Sequence, residues 1–174
     1  MRKNARYFAD FRRNTKNSRA RVKNVGFLAR AWYNIFTMAK NRIIIVGCGK
    51  LGGSLATKLS LSGEDVVVID GNPDSFRKFG GSFGGFQLVG DGTDVDNLEY
   101  AGIREAKMLI ATTGDDNVNL FIGEVADRIY ELDRIFIRLS DTDKARLIEN
   151  TNIVAVYPFV LSMQVFDELL GANT

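Results

Sequence analysis

The chain has 174 residues, enough for one domain with a sizeable core and too few for two of ordinary size. At 45% apolar and 25% charged residues it has the composition of a globular protein; a single cysteine excludes an intrachain disulfide framework, and the lack of histidine removes the commonest neutral-pH base and metal ligand. The net charge of +2 hides a division: residues 1–42 carry twelve Lys and Arg against one acid, Asp10, for a net of +11, while the remainder carries eleven against twenty, for a net of −9.

Residues 1–40 therefore read as a basic N-terminal extension. Lys and Arg alternate with Asn and Ser up to Lys23, and Val25, Leu28, Trp32, Ile35 and Phe36 then fall close to one helical face. Basic charge beside Trp and Phe suits a membrane surface or a partner, reached through residues 1–37. The other reading is a disordered arm, or one lying upstream of a native start at Met38. No base-reading module accompanies the charge, so nucleic acid is set aside as a partner. No apolar run in the chain reaches the roughly 18 residues of a membrane span.

The next stretch, Asn41 to Asp70, organises everything after it. Ile43 to Val46 are continuously apolar and β-prone, as in a strand buried on both faces. Gly47, Gly49 and Gly52 follow in G-x-G-x-x-G spacing. A helical pattern (Leu51, Leu55, Leu59) closes at Gly63, and a second strand, Val66 to Ile69, ends on Asp70. Gly47 permits the tight turn, Gly49 admits a pyrophosphate to the backbone, and Gly52 lets the helix pack on the sheet. The unpaired amides opening the helix sit at its positive end and bind phosphate. Asp70, about 20 residues on, is placed to accept from a ribose hydroxyl. Cys48, inside the turn, reads as a small residue filling tight space rather than a redox sensor.

Gly71 to Asp74 form a turn, Ser75 to Phe79 a short helix, and Gly85 to Val89 a third strand ending at Gly90-Asp91-Gly92-Thr93. Asp94 to Tyr100 reads as a helix with Leu98 and Tyr100 facing inward. A fourth strand, Met108 to Ala111, precedes a helix over Asn117 to Leu132 with an apolar stripe of Val118, Phe121, Ile122, Val125 and Ile129. A fifth strand, Arg134 to Leu139, leads to a helix over Asp143 to Asn150. A sixth, Ile153 to Val156, stops at Pro158 before a last helix with Leu161, Val165, Phe166, Leu169 and Leu170. Strict alternation predicts right-handed βαβ crossovers in a doubly wound parallel sheet of order 3-2-1-4-5-6, with a ligand at the switch point.

The strand ends then converge. Asp91 either bonds an adenine amino group or caps the helix after it; Asp115 and Asn117 are equally well explained as caps. Arg138 points to phosphates or a partner subunit, or pairs with an acid. Lys50 is the nearest fixed cation to a bound phosphate, or is simply solvated. Asp70 and Asp91 argue against a 2′-phosphate, hence against NADP, without separating NAD(H) from ATP, ADP or AMP.

The strings I-I-I-V-G-C-G-K-L-G, V-V-V-I-D, L-V-G-D-G-T-D, A-G-I-R-E-A-K, A-T-T-G-D-D-N-V-N and I-R-L-S-D, in this order over about residues 42 to 170, resemble the TrkA-N domain, also called the RCK or KTN N-terminal domain. That resemblance implies an α/β fold of the Rossmann type, six parallel strands with helices on both faces, filling residues 41–174. It implies binding of NAD(H) or an adenine nucleotide, and a homodimer or larger ring. The partner it implies is a membrane potassium transporter or channel subunit, met from the cytoplasm at the inner face of the membrane. Carried over by motif, nucleotide contacts fall on Gly47, Gly49, Lys50, Leu51, Gly52, Asp70, Asp91, Thr93 and Thr113, with Arg138 added. No residue is assigned a catalytic or metal-binding role. Family regulators often carry a C-terminal sensing domain; the sequence stops at Thr174, as a truncated or single-domain member would.

The function expected is thus a non-enzymatic regulatory subunit that switches conformation with its nucleotide and controls potassium transport. The alternatives are a small NAD-dependent oxidoreductase, against which stand the missing Tyr-x-x-x-Lys pair and histidine, and a nucleotide-binding protein docking to membrane through its basic arm.

Overall fold

The computed structural model describes residues 41–81 and 83–171. The basic extension, its apolar helical face and the membrane contact expected of residues 1–37 lie outside the described residues.

Six parallel strands form one sheet: β1 (Arg42–Val46), β2 (Asp65–Asp70), β3 (Phe86–Val89), β4 (Ala106–Ala111), β5 (Ile135–Arg138) and β6 (Ile153–Val156), in the order β3-β2-β1-β4-β5-β6. This is the expected order. The chain works outward from β1 to the β3 edge, then crosses back to lay β4 on the other side of β1. The switch point therefore lies between β1 and β4, where neighbouring connections leave toward opposite faces and open a crevice.

β1 is central because its side chains can be wetted on neither face. Ile43 to Val46 are all 2% exposed or less. Alternate residues feed two cores, as a two-residue period requires. Ile44 and Val46 join Val67, Ile69, Leu109 and Ile122 on one face, whereas Ile43 and Ile45 join Val66, Val68, Ala56 and Phe76 on the other. Each fully buried Ile or Val contributes about 1.5–3 kcal/mol relative to exposure, so the strand carrying the glycine turn is held most firmly.

Helix α1 (Lys50–Leu61) covers one face, and α3 (Asp116–Arg128) packs against β4, β5 and β6 on the other; α2 (Val95–Tyr100) is a short helix between β3 and β4, and α4 (Pro158–Leu169) closes the described chain. None of these helices is long and apolar enough to cross a membrane.

Several local expectations are corrected. Tyr100 is 71% exposed although Leu98 is fully buried, because residues two apart on a helix point to nearly opposite sides. α3 ends at Arg128 rather than Leu132, and Phe121 and Ile129 of the expected stripe are exposed. Ile122 and Val125 of that stripe are buried as expected, and Asn119, Leu120, Gly123 and Ala126 complete the inner face. Gly123 is why: a Cβ there would lie 3.1 Å from Ile137 Cγ2 and 3.2 Å from Ile153 Cδ1, so the helix rides close to the sheet on its small residues. The segments expected as helices after β2 and β5 are helical in the 3-10 form, over Pro73–Lys78 and Thr142–Ile148, each capped by the side chain before it, Asn72 or Asp141. α4 buries none of its residues among the described ones.

Candidate functional site

At the carboxyl ends of the strands lies a crevice of about 540 Å³. The glycine turn, the β2 tip and the β3 exit line one half; the β4 and β5 exits line the other. Of the residues expected in the site, Gly47, Gly49, Asp70, Asp91, Thr113 and Arg138 line it. Lys50, Leu51, Gly52 and Thr93 are not among the lining residues.

The glycines do three different things. Gly47 has a φ of +94°, the left-handed region that disfavours any other residue, and a Cβ would sit 2.8 Å from the Thr113 nitrogen. Gly52 is a packing glycine: its Cβ would fall 1.9 Å from the Gly47 carbonyl and 2.4 Å from Thr112 Oγ1. Gly49 is neither, since a Cβ there meets nothing within 4 Å. Its missing side chain leaves open crevice, the room a ligand's phosphates need to reach backbone. Gly92, read only as part of a turn, packs like Gly52, its Cβ falling 2.2 Å from Val46 Cγ1.

The first intrahelical bond of α1 runs from the Gly53 amide to the Gly49 carbonyl at 2.9 Å. The Gly49, Lys50, Leu51 and Gly52 amides thus have no partner among the described residues, and together with the helix dipole they form an anion-binding end. The Gly47 and Cys48 amides are already engaged, by the Ile69 carbonyl at 2.8 Å and by Asp70 Oδ2 at 2.7 Å.

Asp70 therefore has a structural task beside the expected one. Oδ2 takes the Cys48 amide and Oδ1 the Asn72 amide at 2.8 Å, which fixes the carboxylate at the crevice wall. A carboxylate accepts about four hydrogen bonds, so capacity remains for a sugar's hydroxyls. Asp91 is held from within its own loop: Oδ1 accepts from the Thr93 amide and the Thr93 hydroxyl, both at 2.8 Å. Those bonds keep its carboxyl below the ordinary range. Thr93 thus serves the crevice by fixing Asp91. Asp91 does not cap α2, a task that falls to Asp94 through the Asp96 amide. Asp115 caps α3 through the Asn117 and Val118 amides.

On the other half, the Thr112 hydroxyl donates to the Gly47 carbonyl at 3.0 Å and its amide to the Val46 carbonyl at 2.7 Å, tying the β4 exit to the glycine turn. Arg138 lines the crevice and makes no ion pair among the described residues. Two residues that the sequence reading missed organise this half. Asn119, fully buried, accepts from the Thr113 amide at 2.9 Å and hydroxyl at 2.8 Å, and donates to the Arg138 carbonyl at 2.9 Å. Asp116 accepts from the Ser140 and Asp141 amides at 2.9 Å, holding the β5 exit. A polar residue on the inner face of an amphipathic helix was the available signal for Asn119; Asp116 looked like any first-turn acid.

Cys48 is fully buried, its thiol 3.4 Å from the Ser75 carbonyl. Burial pushes that thiol above its ordinary value, partly offset by the Lys78 ammonium. The sulfur fills space beneath the turn.

The sequence profile of the TrkA-N domain matches residues 43–158. The chain belongs to the TrkA-N domain family. This TrkA-N chain is 39% identical over 114 residues to the Trk system potassium uptake protein TrkA of Streptomyces coelicolor, covering 66% of this chain and 51% of that protein. It thus spans about half the length of that relative. Among solved structures, the TrkA-N domain of the inner membrane protein ybaL from Escherichia coli superposes with a TM-score of 0.65 at 24% identity, over 75% of this chain and 96% of that one. The structure of GsuK bound to ADP superposes with a TM-score of 0.65 at 22% identity, over 84% of this chain and 38% of that one. At such identities the structural likeness establishes the Rossmann-type fold.

Proposed function

We propose that this TrkA-N domain is a nucleotide-binding regulatory module for potassium ion transport. The observation that carries the reading is the set of amides at the start of α1 that have no partner among the described residues, beside open space at Gly49, with the Asp70 carboxylate fixed at the neighbouring strand tip. An anion-binding helix end beside a sugar-binding acid suits an adenine nucleotide or NAD(H). ADP bound to a structural relative and potassium uptake in the name of a sequence relative support the same assignment. Two carboxylates in the lining, Asp70 and Asp91, disfavour the 2′-phosphate of NADP. The ligand's phosphates rest on the Gly49 to Gly52 amides, its ribose meets Asp70, and its second half lies toward Thr113 and Arg138. The module works in the cytoplasm as a homodimer or ring against a membrane potassium transporter or channel, by binding rather than by turnover. The ionisable side chains lining the crevice are Asp70, Asp91 and Arg138, a set that binds more readily than it shuttles protons.

Calorimetry of the purified chain with ATP, ADP, AMP, NAD, NADH and NADPH tests this. Saturable binding of at least one of the first five, with NADPH weaker than NADH, is expected. No binding of any adenine compound, or ligand-specific hydride transfer to an alcohol or ketone, overturns it.

A further inference from the structure

Lys78 lies at the end of the 3-10 turn after β2, and its stem crosses the first turns of α1 directly over Gly53. A Cβ at Gly53 would lie 2.7 Å from Lys78 Cδ, and the three atoms nearest to it all belong to that lysine. Gly53 thus leaves room for this one side chain. The ammonium at its tip donates to two consecutive carbonyls of the glycine turn, Cys48 and, at 3.1 Å, Gly49. The turn that carries the lysine is anchored twice: Asn72, its cap, is bonded to Asp70, and Phe76 is buried in the same core as Ile43, Ile45 and Cys48.

Peptide geometry gives this contact a consequence. In a trans peptide the C=O and the N–H of the next residue point in opposite directions across one plane. Holding the Cys48 and Gly49 carbonyls toward Lys78 turns the amides of Gly49 and Lys50 away from it. Those are two of the amides at the start of α1 that have no partner among the described residues. A cation on the oxygen side also polarises each peptide and strengthens the donor on its far side. Asp70 grips the preceding peptide from the opposite sense, through the Cys48 amide.

We propose that Lys78 is a positioning residue for the phosphates of the bound nucleotide. It acts through the Cys48 and Gly49 peptide groups, and its own side chain is not part of the crevice lining. The assignment rests on the nucleotide reading above. It differs from the sequence expectation, which gave the role of nearest fixed cation to Lys50, an exposed side chain outside the lining.

The test compares adenosine, AMP and ADP on the full chain and on Lys78→Met, Lys78→Arg and Gly53→Ala. The last keeps the lysine and displaces its stem. Lys78→Met is expected to lose about tenfold in ADP affinity, the scale of one charge-assisted hydrogen bond. The loss should be smaller for AMP and less than twofold for adenosine. Lys78→Arg restores most of the affinity, and Gly53→Ala falls between. The difference between wild type and Lys78→Met persists at about 0.5 M salt, where a mere surface charge is screened. ADP binding unchanged in Lys78→Met, an equal loss for adenosine and ADP, or a difference that vanishes in high salt each overturns the role. Failure of wild type to bind any adenine compound instead overturns the nucleotide reading. Thermal melts without ligand identify a variant that is merely misfolded, in which case Lys78→Arg and Gly53→Ala decide.

Discussion

Asn119 on α3 donates to the carbonyl of Arg138 on β5 at 2.9 Å, while its oxygen takes both the amide and the hydroxyl of Thr113. One buried side chain thus fixes two strand exits that face the crevice. Replacing it by Ala strands the Thr113 amide and the Arg138 carbonyl, so Asn119→Ala is expected to destabilise the domain by about 2–4 kcal/mol. Urea unfolding checks this; a loss under about 0.5 kcal/mol would mean that water replaces the network freely.

The two crevice glycines separate stability from binding. Gly52→Ala forces a methyl into the Gly47 carbonyl and is expected to cost at least about 2 kcal/mol of stability. Gly49→Ala meets open space at a backbone φ of −72°, which any residue adopts. It should melt like wild type and yet bind nucleotide more weakly, because the methyl occupies the phosphates' approach. Melting curves beside calorimetry read both effects, and a destabilised Gly49→Ala with normal binding would reverse the assignment.

Asp70→Ala removes two jobs at once. The lost grip on the Cys48 and Asn72 amides is expected to lower stability by about 1–3 kcal/mol. Loss of the proposed sugar contact is expected to lower nucleotide affinity by roughly 1.5–3 kcal/mol. Affinity unchanged in a folded variant would take Asp70 out of the ligand's reach and leave it only the turn to hold.

Cys48 should be silent to thiol reagents in the folded chain. It is fully buried, and burial raises its thiol above the ordinary value, keeping it protonated at neutral pH. Maleimide labelling should therefore track unfolding through a urea titration. Rapid labelling of the native protein would contradict the packing.

Burial pushes the Asp116 carboxyl up, but bonds from the Asp141 and Ser140 amides and the Lys144 ammonium bring it below its ordinary 3.8. A carboxyl depressed by folding contributes stability that is complete above the ordinary value and is lost as pH falls through the lowered one. The deficit of Asp116→Asn is thus expected to be full at neutral pH and to shrink as pH drops below 3.8. Urea titrations at about pH 7 and pH 3 measure it; an equal deficit at both rules out the ionised form as the source.

The sequence made the β1–glycine–α1–β2 unit and the strand order legible, since a continuous apolar strand, fixed glycine spacing and strict alternation have few other solutions. It failed where spacing alone decides little. Phe121 looked like core because it is apolar, but Gly123 and Ala126 bring α3 onto the sheet by being small. Spacing drew attention to Lys50 because it stands in the motif, whereas the lysine bonded to the carbonyls of the turn is Lys78. Lys78 reaches the turn from about 30 residues away in the chain, a contact that no local pattern encodes. Asp70 was legible as the acid at the tip of β2 and a candidate sugar ligand, yet its bond to Cys48 depends on how the β1 and β2 exits sit side by side.

The turn between β1 and α1 is gripped from both sides, by a carboxylate on one amide and an ammonium on two carbonyls, with Thr112 pinning its start. A nucleotide bound as proposed would therefore arrive at a finished receptacle. Little entropy is left to surrender on docking, and the choice among competing nucleotides falls to shape and charge rather than to a site that moulds itself around its guest.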